Sequence, residues 1–182
     1  MNQKDRYEQA TLGGGCFWCL EAVYKRLRGV VEVYPGYCGG LTANPTYPEV
    51  KTGTTGHAEV IQVTFDPSEI SFGQLLEVFF SVHDPTSPNR QGADVGTQYR
   101  SVVFFHDSKQ KQQVEEIISY MQQHDFFDKQ VVTEVAMLTK FYVAEEYHHD
   151  YLEKNPDQAY CQLVVLPKVD KFTKKFKSLL KP

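Results

Sequence analysis

At 182 residues, with 41% hydrophobic and 23% charged positions, the chain has the make-up of one ordinary globular domain with a full core, which excludes disordered, collagen-like and repeat architectures. A formal net charge of −4 excludes the overall basic field that attracts a phosphate backbone. The 12 Phe and 11 Tyr suit a core or pocket built from rings.

The first ten residues, MNQKDRYEQA, are polar and lack the apolar stretch of a signal peptide. No apolar run reaches the ~18 residues of a spanning helix, so a cytoplasmic protein with no membrane partner is expected. In a reducing compartment the four cysteines are better suited to catalysis or metal binding than to structural bridges.

Residues 10–15, ATLGGG, predict a short strand ending in a glycine turn. From Cys16 to Arg28 the apolar residues Phe17, Leu20, Tyr24 and Leu27 fall at helical spacing, with Gly29 as a stop. Residues 30–37 alternate like a strand and enter a glycine-rich stretch, 36–56, in which no regular structure is expected. Residues 57–67 read as a strand stopped at Asp66-Pro67, and Ser71 with Gln74 makes a capping box for a helix through Leu75, Leu76 and Phe79 to about His83. A second irregular loop, 83–98, precedes the strand 99–107. Ser108 is read as the cap of a helix carrying Val114, Ile117, Ile118 and Met121 on its apolar face. Residues 130–138 predict another strand, and 143–154 a short helix before Asn155-Pro156. In the basic tail, Val169, Phe172, Phe176 and Leu179/Leu180 recur at helical spacing, as in a docked amphipathic helix with solvated lysines rather than a nucleic-acid or membrane patch.

The order β-α-β-β-α-β through residue 106 predicts an α+β two-layer sandwich with a ferredoxin-like core, helices on one face of a mostly antiparallel sheet, and long irregular loops. One domain is expected over residues 1–182.

The stretch GGGCFWCLE, residues 13–21, holds two cysteines and the only tryptophan. A cysteine in the first turn of a helix faces unpaired N–H groups and the positive end of the dipole, both of which favour the nucleophilic thiolate. The alternative is that Cys16 is a small buried core residue. On a strand of period two, Glu59 shares a face with Ile61, Val63 and Phe65. If that face is the core, the carboxyl has a raised pKa and is a general acid; if the strand end frays, Glu59 is a wet surface residue. Tyr47, Asp94 and Tyr99 lie in or beside the two irregular loops, where polar side chains can converge, and a tyrosine hydroxyl can polarise a ligand oxygen without carrying charge. Read singly, a residue of this kind is more often a packing or turn residue than a ligand contact. His148 and His149 are adjacent, so they do not face one way, and no further ligand sits at the required spacing; no metal site is expected. The CFWC segment has the spacing of a thiol-disulfide motif, but the order of elements is not that of a thioredoxin. Cys16, Cys19, Cys38 and Cys161 supply four zinc ligands arithmetically without forming a second CxxC.

The blocks GGGCFWCLE, GYCGG, NPTYPEV, GTTGHAE, HDPTSPNRQGADVGTQYRS and AEEYHHDY, spanning residues 11–166 in order, resemble the signature blocks of the A-type peptide-methionine (S)-S-oxide reductases. The resemblance implies that Cys16 is the nucleophile attacking the sulfoxide sulfur, that Glu59 protonates its oxygen, and that Tyr47 and Tyr99 hydrogen-bond that oxygen. It implies that Phe17 and Trp18 enclose the substrate methyl group and that Asp94 helps to order the site. The substrate is then the S epimer of methionine sulfoxide, free or in proteins; the two epimers need separate enzymes. The sulfenic acid formed condenses with a second thiol, and thioredoxin, or dithiothreitol in vitro, restores the enzyme with no bound cofactor. Cys161, near the C-terminus in segment 155–182 after a Pro-containing loop and able to swing to Cys16, is the first choice as resolving thiol. Cys19, one helical turn from Cys16, is the alternative. Cys38 fills a small-residue position. Two positions depart from the family pattern: Cys19, where Gly is common, and His149, where Gln is. A monomer is the default in the absence of heptads. Rival readings are a thiol-disulfide oxidoreductase using Cys16 and Cys19, and a non-catalytic methionine-binding redox module.

Overall fold

The computed structural model describes residues 6–182; the first five residues of the polar N-terminal stretch lie outside that range. The glycine turn after β1 (Glu8–Gly13) leads into α1 (Phe17–Tyr24), and β2 (Val30–Cys38) follows. Helix α1 stops four residues short of Arg28. Lys25 to Arg28 turn tightly instead, Leu27 bridges to Leu180 in the tail, and Gly29 takes φ +80°. The glycine-rich stretch is not wholly irregular: α2 (Tyr47–Lys51) sits inside it, held by a capping box between Thr46 and Glu49 with Pro48 in the first turn.

β3 (Ala58–Phe65) ends where expected, and Ser71 caps α3 (Phe72–Val82) with both capping-box bonds to Gln74 present. The second loop carries a small hairpin, β4 (Arg90–Gln91) with β5 (Asp94–Val95), and a 3₁₀ turn over Thr97–Tyr99. After β6 (Val102–Phe105), α4 (Ser108–Gln123) is capped by Asp107, whose side chain accepts from the Gln110 N–H. Ser108 is therefore the first helical residue rather than the cap. Residues 143–154 do not form one helix. β8 (Phe141–Val143) takes the start, a 3₁₀ turn covers Glu146–His148, and α5 (Tyr151–Lys154) begins only after Asp150, whose φ of +56° breaks any continuous helix. A π-helical turn at Cys161–Val165 leads into α6 (Leu166–Lys175), which docks through Val169, Phe172 and Phe176 as its spacing required.

Six strands form one sheet in the order β7-β6-β1-β3-β2-β8, with β7 (Glu134–Met137) at one edge. Every pairing is antiparallel except β6 with β7, which α4 connects as a crossover. One face of the sheet, with Leu12, Ile61, Val63 and Val103, packs against the helices in the main core. The other face carries only a small cluster around Cys38, Val60, Val102 and Phe104. The architecture is a mixed α/β fold with a mostly antiparallel sheet and, among the described residues, six α-helices. None of these helices is long and apolar enough to cross a membrane.

Candidate active site

Cys16 is the N-cap of α1, at the end of a turn that only glycines permit. A Cβ on Gly13 would lie 2.9 Å from the backbone oxygen of Glu59, so glycine lets the end of β1 run close against β3. Gly15 has φ +85°, and a Cβ there would lie 2.8 Å from the Gln91 side chain. Its N–H donates to the carbonyl of Tyr99 at 3.2 Å, which ties the second loop to the cysteine turn.

Cys16 is buried, with 7% of its surface exposed, and Trp18, Tyr47 and Tyr99 are half-buried. Its thiol differs from the sequence expectation of a ready thiolate. Burial pushes its pKa well above the ordinary thiol value, and a hydrogen bond to Cys19 and the charge of Glu59 add to that. The helix-terminal N–H of Trp18 pulls the other way and does not win. The substrate-free site therefore holds Cys16 as a thiol hydrogen-bonded to the Cys19 sulfur. Cys19 shifts downward because that bond, with help from Lys168 and Tyr160, outweighs its own burial.

Glu59 points into the core with Ile61, Val63 and Phe65, the arrangement predicted by strand alternation, and is 1% exposed. Its Oε2 accepts the N–H of Phe17, the residue next to Cys16, at 3.2 Å. Burial raises its pKa from 4.5 to about 8 despite that bond, so the carboxyl is mostly protonated at neutral pH.

Tyr47 and Tyr99 both have raised pKa values, from burial first and then from the charge of Glu59, with Cys16 also contributing. Their hydroxyls are therefore neutral donors close to both groups. Tyr47 is held through its backbone N–H, which donates to Glu145 Oε2 at 3.0 Å, while Tyr37 donates to Oε1 of the same carboxylate at 3.0 Å. Asp94 sits on the hairpin β4/β5 and accepts from the Tyr160 hydroxyl at 2.6 Å.

The ring of Phe17 is fully buried, 5.7 Å from Tyr37, 6.5 Å from Tyr47 and 4.9 Å from His148. Trp18 is stacked flat on Tyr151, with centroids 3.6 Å apart and planes 3° apart, and its indole N–H donates to His148 Nδ1 at 3.0 Å. Burial lowers the His148 pKa to about 4, so the imidazole is neutral and Nδ1 is free to accept. The two rings following Cys16 thus form a rigid apolar wall.

Cys161 is not on a loose loop. It opens the π-helical turn fully buried, its N–H donates to Gln158 Oε1 at 3.3 Å, and burial raises its pKa, with the charge on Cys19 adding to that effect. Cys38 lies in the small cluster on the far face of the sheet, with its pKa raised by burial to about 11. Among the described residues no group of three or more His, Cys, Asp or Glu side chains is placed to hold a metal ion.

Sequence reasoning missed Glu145, His148, Tyr151 and Tyr160 as parts of this site. His148 and Tyr151 were visible in the block AEEYHHDY, and their separation of three residues was a readable sign of a shared face, but the segment folds as a 3₁₀ turn and a separate short helix rather than the single helix expected.

With that geometry in place, the family model for peptide methionine sulfoxide reductase matches residues 8–180. The peptide methionine sulfoxide reductase MsrA of Sulfolobus acidocaldarius is 57% identical over 169 residues, covering 93% of this chain and 95% of that protein. The reduced form of Mxr1 from Saccharomyces cerevisiae superposes with a TM-score of 0.79 at 34% identity, covering 88% of this chain and 92% of that one. Mxr1 in complex with Trx2 superposes with a TM-score of 0.57 at 25% identity, over 83% of this chain and 88% of that one.

Proposed function

The chain belongs to the peptide methionine sulfoxide reductase family, and on that premise we propose that it reduces the S epimer of methionine sulfoxide, free or in proteins, to methionine, with Cys16 as nucleophile and Glu59 as acid. The observation that carries the assignment of these two residues is the contact at the head of α1. A protonated carboxyl accepts the N–H of the residue following the cysteine, inside a wall of rings that suits a methylthio group.

The step follows from the chemistry of a sulfoxide, whose oxygen is a poor leaving group until protonated. Cys16 Sγ attacks the sulfoxide sulfur as Glu59 gives its proton to the oxygen, and the thiol proton of Cys16 replaces it on the carboxylate. The Sγ–S bond so formed then breaks, its electron pair returning to the methionine sulfur as the protonated oxygen leaves that sulfur for Sγ. The products are methionine and a Cys16 sulfenic acid, and Glu59 ends the step protonated as it began. Tyr47 and Tyr99 donate to the same oxygen as charge develops on it. Phe17 and Trp18 take the methyl group, so that fixing methyl and oxygen together selects one epimer. Asp94 orders the site through Tyr160.

Cys161 then attacks the sulfenic acid, giving a disulfide and water, and a thioredoxin dithiol reduces that disulfide to restore both thiols. Cys19, hydrogen-bonded to Cys16, is the alternative resolving thiol. No bound cofactor is required. The structure of a relative with Trx2 supports thioredoxin as the reductant.

We read residues 1–182 as one catalytic, monomeric, cytoplasmic domain. Its β1-α1-β2-β3-α3-β6 part is read as a ferredoxin-like core, which the strand order β6-β1-β3-β2 supports. Incubation with each methionine sulfoxide epimer and dithiothreitol, followed by assay of methionine, tests the activity. Consumption of the S epimer alone is expected, and consumption of neither, or of both equally, would refute the reading.

A further inference from the structure

Glu21 lies on α1 one turn after Trp18, is 2% exposed, and has no part in the reaction described above. Both of its carboxylate oxygens accept a single backbone N–H, that of Asp150, at 3.0 and 3.1 Å. Asp150 has φ +56°, a left-handed conformation that Asp adopts more readily than most non-glycine residues, and here its N–H is tied to Glu21. The Asp150 side chain pairs with Lys25, at the end of the same helix α1. Immediately after Asp150, Tyr151 lies flat against Trp18; two residues before it, His148 accepts the indole N–H. His148 and Tyr151, the two side chains that fix the indole, therefore lie on either side of the Asp150 N–H that Glu21 accepts, and the Tyr151 N–H bears on the same carboxylate.

We propose that Glu21 is the positioning residue of the methyl-binding wall: by holding the left-handed turn at Asp150 it sets Tyr151 and His148 against Trp18, and so sets the affinity for substrate without touching it. The proposal rests on the reading of Phe17 and Trp18 as that wall. A buried carboxyl with no other assigned task is costly to keep unless its bonds are needed, because burial works against its charge. Here burial raises the pKa to about 7, with Lys25 opposing, which leaves the group poised between its two forms rather than discharged. Glu153 and Lys154, on α5, also act on it.

The chain has one tryptophan, so its emission reports this wall directly in the protein without substrate. Glu21→Met keeps the volume and removes both acceptors. Its emission is expected to shift and to become more quenchable by acrylamide as Trp18 leaves the Tyr151 stack. KM for a peptide methionine sulfoxide is expected to rise about tenfold, the factor for one charge-assisted hydrogen bond, with kcat within about twofold. In a Tyr151→Leu background the same substitution has a smaller effect than on its own, because the two share the Tyr151 stack and only the His148 contact is left for Glu21 to set. Emission and KM like the unmutated protein's, or effects that add fully to those of Tyr151→Leu, would overturn the proposal. If Glu21→Met does not fold, Glu21→Gln, which keeps one weaker acceptor, is read in the same cycle: a shift that shrinks in the Tyr151→Leu background supports the proposal, and no shift, or one that adds in full, overturns it. Emission is independent of turnover, so a chain inactive on methionine sulfoxide fails the reductase reading without deciding this one.

Discussion

Replacing Glu59 with Gln removes the transferable proton while keeping an oxygen for the Phe17 N–H, now 3.2 Å from Glu59 Oε2. Loss of a general acid slows its step by about 10²–10⁴-fold, or about 3–5 kcal/mol of barrier. The same substitution has an opposite effect on stability. Glu59 titrates at about 8 in the fold and at 4.5 as an ordinary carboxyl, so between those values the folded protein binds more protons than the unfolded chain. Stability therefore falls as pH rises through that window. At pH 7 the 2.5-unit interval above 4.5 amounts to about 3 kcal/mol lost by the wild type, a loss that a neutral amide avoids. Glu59→Gln should then be the more stable protein at pH 7 by about 3 kcal/mol, or roughly 6–12 °C in Tm. The two proteins should converge below pH about 4, where Glu59 is protonated in both states. Denaturant unfolding at pH 4 and pH 7, beside quenched single-turnover assays of methionine formation, reads both effects. A variant with the wild-type single-turnover rate, or a stability gap that does not change with pH, would refute the reasoning.

Cys161→Ser is expected to release one equivalent of methionine at the wild-type rate and then to stop with thioredoxin as reductant; steady cycling would pass the resolving role to Cys19. Tyr47→Phe and Tyr99→Phe remove hydroxyls that stay neutral beside Glu59, and each should lower kcat/KM by about 10²-fold while leaving the fold intact. A loss confined to KM in stopped-time assays would show that they bind substrate without assisting the departing oxygen.

Much of the fold was legible because local signals agreed with the tertiary outcome. The alternation through Ile61, Val63 and Phe65 did point Glu59 inward, and the Ser71/Gln74 pair did start α3. Spacing also docked Val169, Phe172 and Phe176 in the tail. The failures fall where long-range contacts override periodicity. α1 ends at Tyr24 because Leu27 pairs with Leu180, far away in sequence. Residues 143–154 break into the end of β8, a 3₁₀ turn and α5, with Asp150 left-handed and its N–H taken by Glu21 from a distant part of the chain. The helix α2 formed inside the glycine-rich loop where no regular structure was expected, although a capping box at Thr46 and Glu49, with Pro48 between them, was there in the sequence. At the site, the helix-terminus argument for Cys16 was sound in sign but not in size. Burial and two neighbouring acidic groups outweigh one terminal N–H, and neither burial nor those neighbours is visible in nine residues of sequence.

The central claim is that the oxygen of the substrate is lost at Cys16. A Cys19→Ser/Cys161→Ser double variant, mixed with one equivalent of S-epimer methionine sulfoxide and digested for mass spectrometry, should yield one methionine per chain and a single sulfenic acid on the peptide that carries Cys16. Methionine formed while that peptide remains a free thiol, or formed equally well by Cys16→Ser, would contradict it.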